Sequence, residues 1–218
     1  MKDSLLVTRP KYDDATEYLS YYASLIIKNA EELGIKVKDF EGKEVTSANI
    51  EKFLSKIAPK LIFLNGHGND SAIEGDKEEI IFSTDKNINL LRDKIIYASS
   101  CYLGRVFGKK VVDRNNGCFI GYKYPFSFWI DEKWSAKPSN DKTAALFLEP
   151  SNEVINFLLK GKTAKIANDK SKKMIIDNMR EILKLEEKKD PSATGILQVL
   201  WNNYEGRVLY GNSDIFLE

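Results

Sequence analysis

Apolar and polar positions along residues 1–122 alternate in a way that predicts strands and helices in turn. Apolar side chains recur every three or four residues from Ala15 to Leu33, which predicts a helix that Gly34 ends. Pro59 ends a second helix of this kind. The predicted strands cover residues 4–7, 35–40, 60–64, 94–99 and 118–122, with a small hairpin around 80–83, and the predicted helices cover residues 13–33, 47–57 and 103–112.

Two of the predicted strands are continuously apolar, at residues 61–64 and 95–98. Such runs are typical of strands that are buried on both faces of a sheet. Strands that alternate with helices favour a parallel sheet covered by helices. The expected fold class is therefore α/β, with a mostly parallel central sheet of about six strands and helices on both faces.

The pattern after residue 122 is less regular. Aromatic residues alternate at Tyr122, Tyr124, Phe126 and Phe128, which fits either a wall of a binding cleft or a strand with one buried face. Further helices are predicted at residues 143–148, 153–159, 163–187 and 196–201, a solvated charge run at 186–190, and a last strand at 207–210.

Composition narrows the class of protein. The chain has 218 residues, of which 43% are hydrophobic, so residues 1–218 are expected to form a single domain. The net charge of +1 gives no reason to expect nucleic acid or an anionic membrane as a partner. We find no apolar run of membrane-spanning length, and residues 1–14 are too polar for a secretory signal. Two cysteines in such a chain favour reduced thiols and a cytoplasmic location.

Chemically suggestive residues follow the two buried strands. His67, the single histidine, follows the first strand and is flanked by Gly66 and Gly68; Cys101 follows the second strand. Because the carboxyl ends of parallel strands meet at one rim of a sheet, the imidazole and the thiol are expected side by side, as nucleophilic cysteine catalysis needs. The alternatives are a surface histidine and a cysteine that packs as a small apolar group, which is the role expected of Cys118. A predicted helix after Cys101 would favour its thiolate.

A family resemblance rests on these two segments. Leu-Ile-Phe-Leu-Asn-Gly-His-Gly at 61–68 and Ile-Ile-Tyr-Ala-Ser-Ser-Cys at 95–101 resemble the paired signature of clan CD cysteine peptidases, the group of caspases, metacaspases, gingipains and CHAT domains. The resemblance implies a caspase-like fold. It also implies His67 as general acid/base, Cys101 as nucleophile, and an oxyanion hole from the backbone N–H groups of Gly68 and Cys101. No metal or organic cofactor is expected in the chemical step.

Substrate-binding residues are implied less directly. Metacaspases carry an acidic residue two positions before the nucleophile, where this chain has Ser99. They carry another at the start of the first helix, where Asp14 stands at the matching place and Asp13 is the adjacent candidate. Asp131 is a further candidate for contacting a basic substrate side chain. Cleavage after Lys or Arg is therefore expected, although a helix-capping carboxylate is an equally ordinary role for such an aspartate. Arg9 is the counter-argument, since an arginine in the same pocket would select an acidic residue.

The function expected from these residues is that of a cysteine endopeptidase acting on a protein or peptide substrate. The alternative is a catalytically inactive caspase-like domain that serves as an adaptor or regulator, and in either case a regulatory protein partner is conceivable. A nucleotide-binding module is disfavoured because Thr8-Arg9-Pro10-Lys11 follows the first strand in place of a glycine-rich loop. A serine hydrolase is disfavoured because no Gly-x-Ser-x-Gly motif is present.

Overall fold

The computed structural model describes residues 4–114, 116–186 and 191–218. Its strands are β1 (Ser4–Arg9), β2 (Lys36–Glu41), β3 (Leu61–Asn65), β4 (Ala72–Glu74), β5 (Ile80–Ser83), β6 (Ile95–Ser99), β7 (Cys118–Tyr122) and β8 (Arg207–Gly211). Its α-helices are α1 (Asp14–Glu32), α2 (Ser47–Leu54), α3 (Phe107–Val111), α4 (Lys142–Leu159), α5 (Ala164–Glu186) and α6 (Ala193–Gly206). Most of the charge run predicted at 186–190 lies outside the described residues.

Six of these strands form one central sheet in the order β2-β1-β3-β6-β7-β8. The pairs from β2 to β7 are parallel, and β8 joins β7 antiparallel. The remaining two strands, β4 and β5, form a separate antiparallel hairpin. The predicted fold class, α/β with a mostly parallel sheet of about six strands, is confirmed.

Apolar side chains from alternating positions of the strands pack on both faces of the sheet. One face is covered by α1, α4 and the start of α5, around Leu5, Phe63 and Tyr97. The other face is covered by α2, α3 and the β4–β5 hairpin, around Leu64 and Phe119. Burial of both faces explains why β3 and β6 are apolar at nearly every position. A third apolar cluster joins α4, α5 and α6 outside the first face.

Helix α4 differs from the sequence prediction, because it runs without a break through Pro150 where two short helices were expected. Proline has no N–H, so the carbonyl four residues earlier, that of Leu146, loses its helical partner. The side-chain amide of Asn178 on α5 donates to that carbonyl at 2.8 Å, and Ser171 donates to the Pro150 carbonyl. The neighbouring helix therefore replaces the hydrogen bond that the proline removes.

The helix after the predicted nucleophile also differs. Residues 103–112 were expected to be helical, but α3 begins only at Phe107 and has five residues. Cys101 therefore does not lie at the amino end of a helix, and the expected stabilisation of its thiolate by a helix dipole is wrong. Tyr102, with a φ of 62°, begins the turn that separates β6 from α3.

Of the helices in the described part of the chain, none is both long and apolar enough to cross a membrane.

Candidate active site

The sheet register places His67 and Cys101 at equivalent positions beyond two paired strands. Asn65, the last residue of β3, is the register partner of Ser99, the last residue of β6. His67 and Cys101 each follow their strand end by two residues. Neighbouring strands lie about 4.8 Å apart, so both loops start from the same short stretch of the carboxyl rim.

Close packing of Gly68 joins the two loops. A Cβ on Gly68 would lie 2.5 Å from the Ser100 hydroxyl oxygen and 2.8 Å from the Ala72 carbonyl oxygen. Only a residue without a side chain fits between the histidine loop and Ser100, the residue before Cys101. The β4–β5 hairpin holds the loop from outside, since Glu74 N–H donates to the His67 carbonyl at 3.0 Å.

Gly66 turns the chain between β3 and His67. Its φ of +140° is a conformation that residues with a side chain rarely adopt, and a Cβ there would lie 2.5 Å from the Glu74 carbonyl oxygen. The glycines on both sides of His67 thus have different tasks: Gly66 turns the backbone, and Gly68 allows the close approach to Ser100.

The side chain of His67 contacts Asp13, which sequence analysis had grouped with the substrate-binding candidates. Nε2 of His67 lies 2.7 Å from the Asp13 carboxylate. Asp13 is also the N-cap of α1 and forms a capping box with Thr16. A carboxylate can only accept here, so Nε2 is the donor in this contact and Nδ1 is the ring nitrogen that Asp13 does not engage.

Hydrogen bonds dominate the ionisation of Asp13. Partial burial disfavours its charged form, but the backbone and side-chain donors of Thr16, followed by His67, outweigh burial and lower the pKa of Asp13. The carboxylate is thus held ionised beside the imidazole.

Across the strands, Thr8 and Asn65 exchange three hydrogen bonds of 2.9 to 3.2 Å, which fix the end of β1 against the end of β3.

Cys101 is partly buried, and its thiol donates to the Phe126 carbonyl at a sulfur–oxygen distance of 3.7 Å. Burial raises the pKa of this thiol above its ordinary value. Cys118 lies fully buried in β7, where burial raises its pKa to about 12. Both cysteines are free thiols.

The remaining substrate-binding candidates are placed as follows. Ser99 is buried, and its hydroxyl lies 3.1 Å from that of Ser151 on α4. Asp14 is exposed in the first turn of α1. Asp131 is half-buried, and its side chain accepts from the Lys133 backbone. Asp14 and Asp131 both contribute to raising the pKa of Tyr18, after burial and its hydrogen bond to Asp141, so the two carboxylates approach the same tyrosine.

Arg9, the counter-argument to a basic preference, is 7% exposed and engaged within the fold. Its guanidinium donates to Asp39, pairs with Glu41 at 3.0 Å and donates to the Ser20 hydroxyl at 2.9 Å. An arginine committed to two carboxylates offers little to an acidic substrate residue.

Three nearby residues were not singled out by sequence analysis. The Tyr12 ring centroid lies 6.0 Å from that of His67. Burial raises the pKa of Glu74, and the nearby His67 acts against this rise. The Ser100 hydroxyl is buried and has no hydrogen-bond partner among the described residues. The alternation of side chains along a strand predicts that Ser99 and Ser100 point to opposite faces of the sheet. Nothing in the sequence, in contrast, indicates that the β4–β5 hairpin brings Glu74 to His67.

A metal centre is not evident, since the described residues contain no group of three or more His, Cys, Asp or Glu side chains placed to hold an ion. The two loops instead carry an imidazole that contacts the Asp13 carboxylate and a thiol that contacts the Phe126 carbonyl.

Comparisons with known proteins support the fold. No protein-family model matches the chain, and no curated protein does. Among solved structures, the complex of the pro- and mature domains of RgpB from Porphyromonas gingivalis matches with a TM-score of 0.61 and 12% sequence identity. The match covers 99% of this chain and 48% of that one, so the chain spans about half the length of its structural neighbour. The fold is therefore caspase-like, of the kind found in gingipains.

Proposed function

We propose that the chain is a cysteine endopeptidase in which Cys101 is the nucleophile and His67 the general acid/base, within one caspase-like domain. The observation that carries the proposal is the register of β3 and β6, which sets His67 and Cys101 two residues beyond paired strand ends. Packing of Gly68 on Ser100 supports it, because the two loops are in contact.

In the proposed reaction the thiol proton passes to Nδ1 of His67 as sulfur attacks the scissile carbonyl carbon. Backbone N–H groups of Gly68 and Cys101 hold the developing oxyanion. The carbon–nitrogen bond then breaks and His67 protonates the departing amine. Water hydrolyses the thioester, which releases the carboxylate product and restores the thiol.

Asp13 enters this proposal as a positioning residue. Its 2.7 Å contact with Nε2 fixes the orientation of the ring and supports the positive charge that His67 carries after it accepts a proton. That contact and the hydrogen bond from Thr16 engage both oxygens of Asp13, so the exposed Asp14 is the better candidate for recognising a basic substrate side chain. Asp131 comes after it, because its carboxylate already pairs with Lys133 at 3.4 Å. Ser99, engaged with Ser151, is the weakest of the four substrate-binding candidates.

A second candidate function is a caspase-like adaptor without catalysis. The observation that favours it is the Cys101 thiol, whose pKa is raised by burial and which donates to the Phe126 carbonyl. Catalysis by this thiol requires that a substrate or a partner moves it to a position from which it can transfer its proton to His67.

Labelling with peptidyl electrophiles separates the two functions. The panel carries Lys, Arg, Asp or a neutral residue before the reactive group, and the labelled site is mapped by mass spectrometry. Modification of Cys101 in the wild-type protein, its loss in His67→Ala, and full labelling in the matched variant Cys118→Ala support the peptidase. If peptides of every class leave Cys101 unlabelled in the folded protein, the adaptor is the better description.

A further inference from the structure

A small pocket lined by basic and aromatic side chains lies on the other side of the nucleophile loop from Asp13 and Asp14. Its lining consists of Gly104, Arg105, Lys109, Lys123, Tyr124 and Tyr210, and its volume is about 200 Å³. We refer to it as the cationic pocket. Nothing in the reaction proposed above uses it.

Hydrogen bonds fix this pocket to the loop that carries Cys101. The Tyr102 N–H donates to the Tyr124 carbonyl at 3.3 Å, and the Gly104 N–H donates to the Tyr122 carbonyl at 2.8 Å. The Nε atom of Arg105 donates to the Lys123 carbonyl at 2.8 Å. The residues directly after the nucleophile are therefore bound to the segment after β7.

Charge in the cationic pocket is only partly compensated. Arg105 pairs with Asp70 at 3.5 Å, and its guanidinium lies over the Tyr102 ring. Lys123 lies over the Tyr124 ring at 5.1 Å, and Lys109 lies 5.9 Å from the Tyr210 ring centroid. Within residues 4–114, 116–186 and 191–218, no ion pair is formed by Lys109 or Lys123.

The order of the strands places Asp13 and Asp14 at one end of the carboxyl rim and Lys123 at the other. From β1 to β7 the strands follow one another as β1, β3, β6 and β7. The loops after them carry, in that order, Asp13 and Asp14, then His67, then Cys101, then Lys123. Three strand steps of about 4.8 Å separate the acidic end from the basic end, a span that four to five residues of an extended peptide cover.

We propose that the cationic pocket binds an acidic side chain of the polypeptide substrate, on the opposite side of Cys101 from the basic residue. This proposal rests on the proposed function, because it describes a further contact of the same substrate, beside the loop that carries Cys101. The ammonium groups of Lys109 and Lys123 supply the charge for a carboxylate, and the pocket volume fits a Glu or Asp side chain. The favoured substrate thus combines a basic and an acidic residue a few positions apart.

Equilibrium binding tests the proposal without requiring turnover. The probe is Cys101→Ala protein titrated with fluorescent peptides that share one basic residue and carry Glu, Gln or Lys at each of positions two to five on either side of it. We expect the best Glu peptide to bind roughly fivefold tighter than its Gln counterpart at low salt, as partly exposed ion pairs allow. This advantage should vanish in Lys109→Gln/Lys123→Gln and persist in Lys52→Gln, which removes a charge from α2.

Equal binding of all Glu, Gln and Lys peptides would overturn the cationic pocket as a substrate site. So would competition by inorganic phosphate with no difference among peptides, which would indicate a general anion site. A Glu preference that Lys52→Gln removes as strongly as the double variant would also overturn it, since net charge would then be the cause. Failure of Cys101 to react with any electrophile would contradict the peptidase, but it would leave the peptide-binding result interpretable by itself.

Discussion

At the scale of single residues, the contact between Asp13 and His67 has two roles that one substitution can separate. Asn caps helices about as well as Asp, so Asp13→Asn should leave α1 intact while it removes the charge beside Nε2. We expect the rate of substrate hydrolysis to fall roughly tenfold or more, because the imidazolium loses its counter-charge. Glu17→Gln, which removes an exposed charge from the same turn of α1, is the matched control. Equal rates in the wild type and Asp13→Asn would exclude a positioning role.

The pH dependence of stability provides an independent measurement on the same variant. The pKa of Asp13 is lower in the folded chain than its ordinary value, through hydrogen bonds from Thr16 and His67 that outweigh burial. Ionised Asp13 therefore stabilises the fold above its unfolded pKa, and this contribution is lost as pH falls through the folded pKa. Asp13→Asn should reduce the acid-induced fall in melting temperature within that range.

The two thiols should differ in their reaction with iodoacetamide. Burial raises the pKa of both, but Cys101 is partly accessible whereas Cys118 is fully buried with a pKa of about 12. We expect alkylation of Cys101 in the free protein to keep increasing with pH after an ordinary thiol is fully ionised and its rate has levelled off. Cys118 should react only on unfolding. Peptide mapping after timed alkylation measures both, and faster reaction of Cys118 in the native protein would contradict the structure.

At the scale of elements, the contact between the β3 and β6 loops depends on Gly68. A methyl group there would overlap the Ser100 hydroxyl and the Ala72 carbonyl, so Gly68→Ala should push the loops apart. A displacement near 1 Å can cost a catalytic site up to about a hundredfold in rate. We expect electrophile labelling of Cys101 to slow accordingly. Gly161→Ala, strained by a φ of +69° far from the rim, should lower the melting temperature without changing that labelling rate.

The continuity of α4 depends on a hydrogen bond that another helix supplies. Asn178→Ala should destabilise the fold by about 1 kcal/mol, because the Leu146 carbonyl loses its donor. In Pro150→Ala the new backbone N–H can serve that carbonyl, so adding Asn178→Ala should then cost less. A double-mutant cycle by urea unfolding measures the coupling. Strict additivity of the two changes would show that Asn178 does not replace the missing bond.

At the scale of the whole molecule, the expected substrate preference depends on which charged side chains near His67 and Cys101 are exposed to solvent. Arg9 is buried against Asp39 and Glu41. Asp14 is exposed, and Asp131 is half-buried beside Lys133, with both carboxylates near Tyr18. On matched fluorogenic peptides we therefore expect kcat/KM to be highest after Arg or Lys, and to fall for those peptides in Asp14→Asn/Asp131→Asn. Faster turnover of the Asp peptide would show that the basic preference is wrong.

Much of the fold could be predicted from the sequence, because the patterns that predict each strand or helix lie within that segment of the chain. Buried strands such as β3 and β6 are continuously apolar, and the amphipathic spacing of α1 requires one covered face. The boundaries of α3 and the single helix through Pro150 could not be predicted, because packing against β7 and α5 overrides local preference there. Both differences come from contacts with elements distant in the chain.

The positions of His67 and Cys101 after two buried strands follow from the sequence, because strand ends and glycine turns are local features. Their partners depend on which strands are neighbours. Asp13 reaches His67 because β1 lies beside β3. Arg9 is engaged within the fold because β2 lies beside β1 and presents Asp39 and Glu41 to it. The strand order depends on covering both faces of the sheet at the same time. That requirement involves the whole chain, so it cannot be predicted from any single segment.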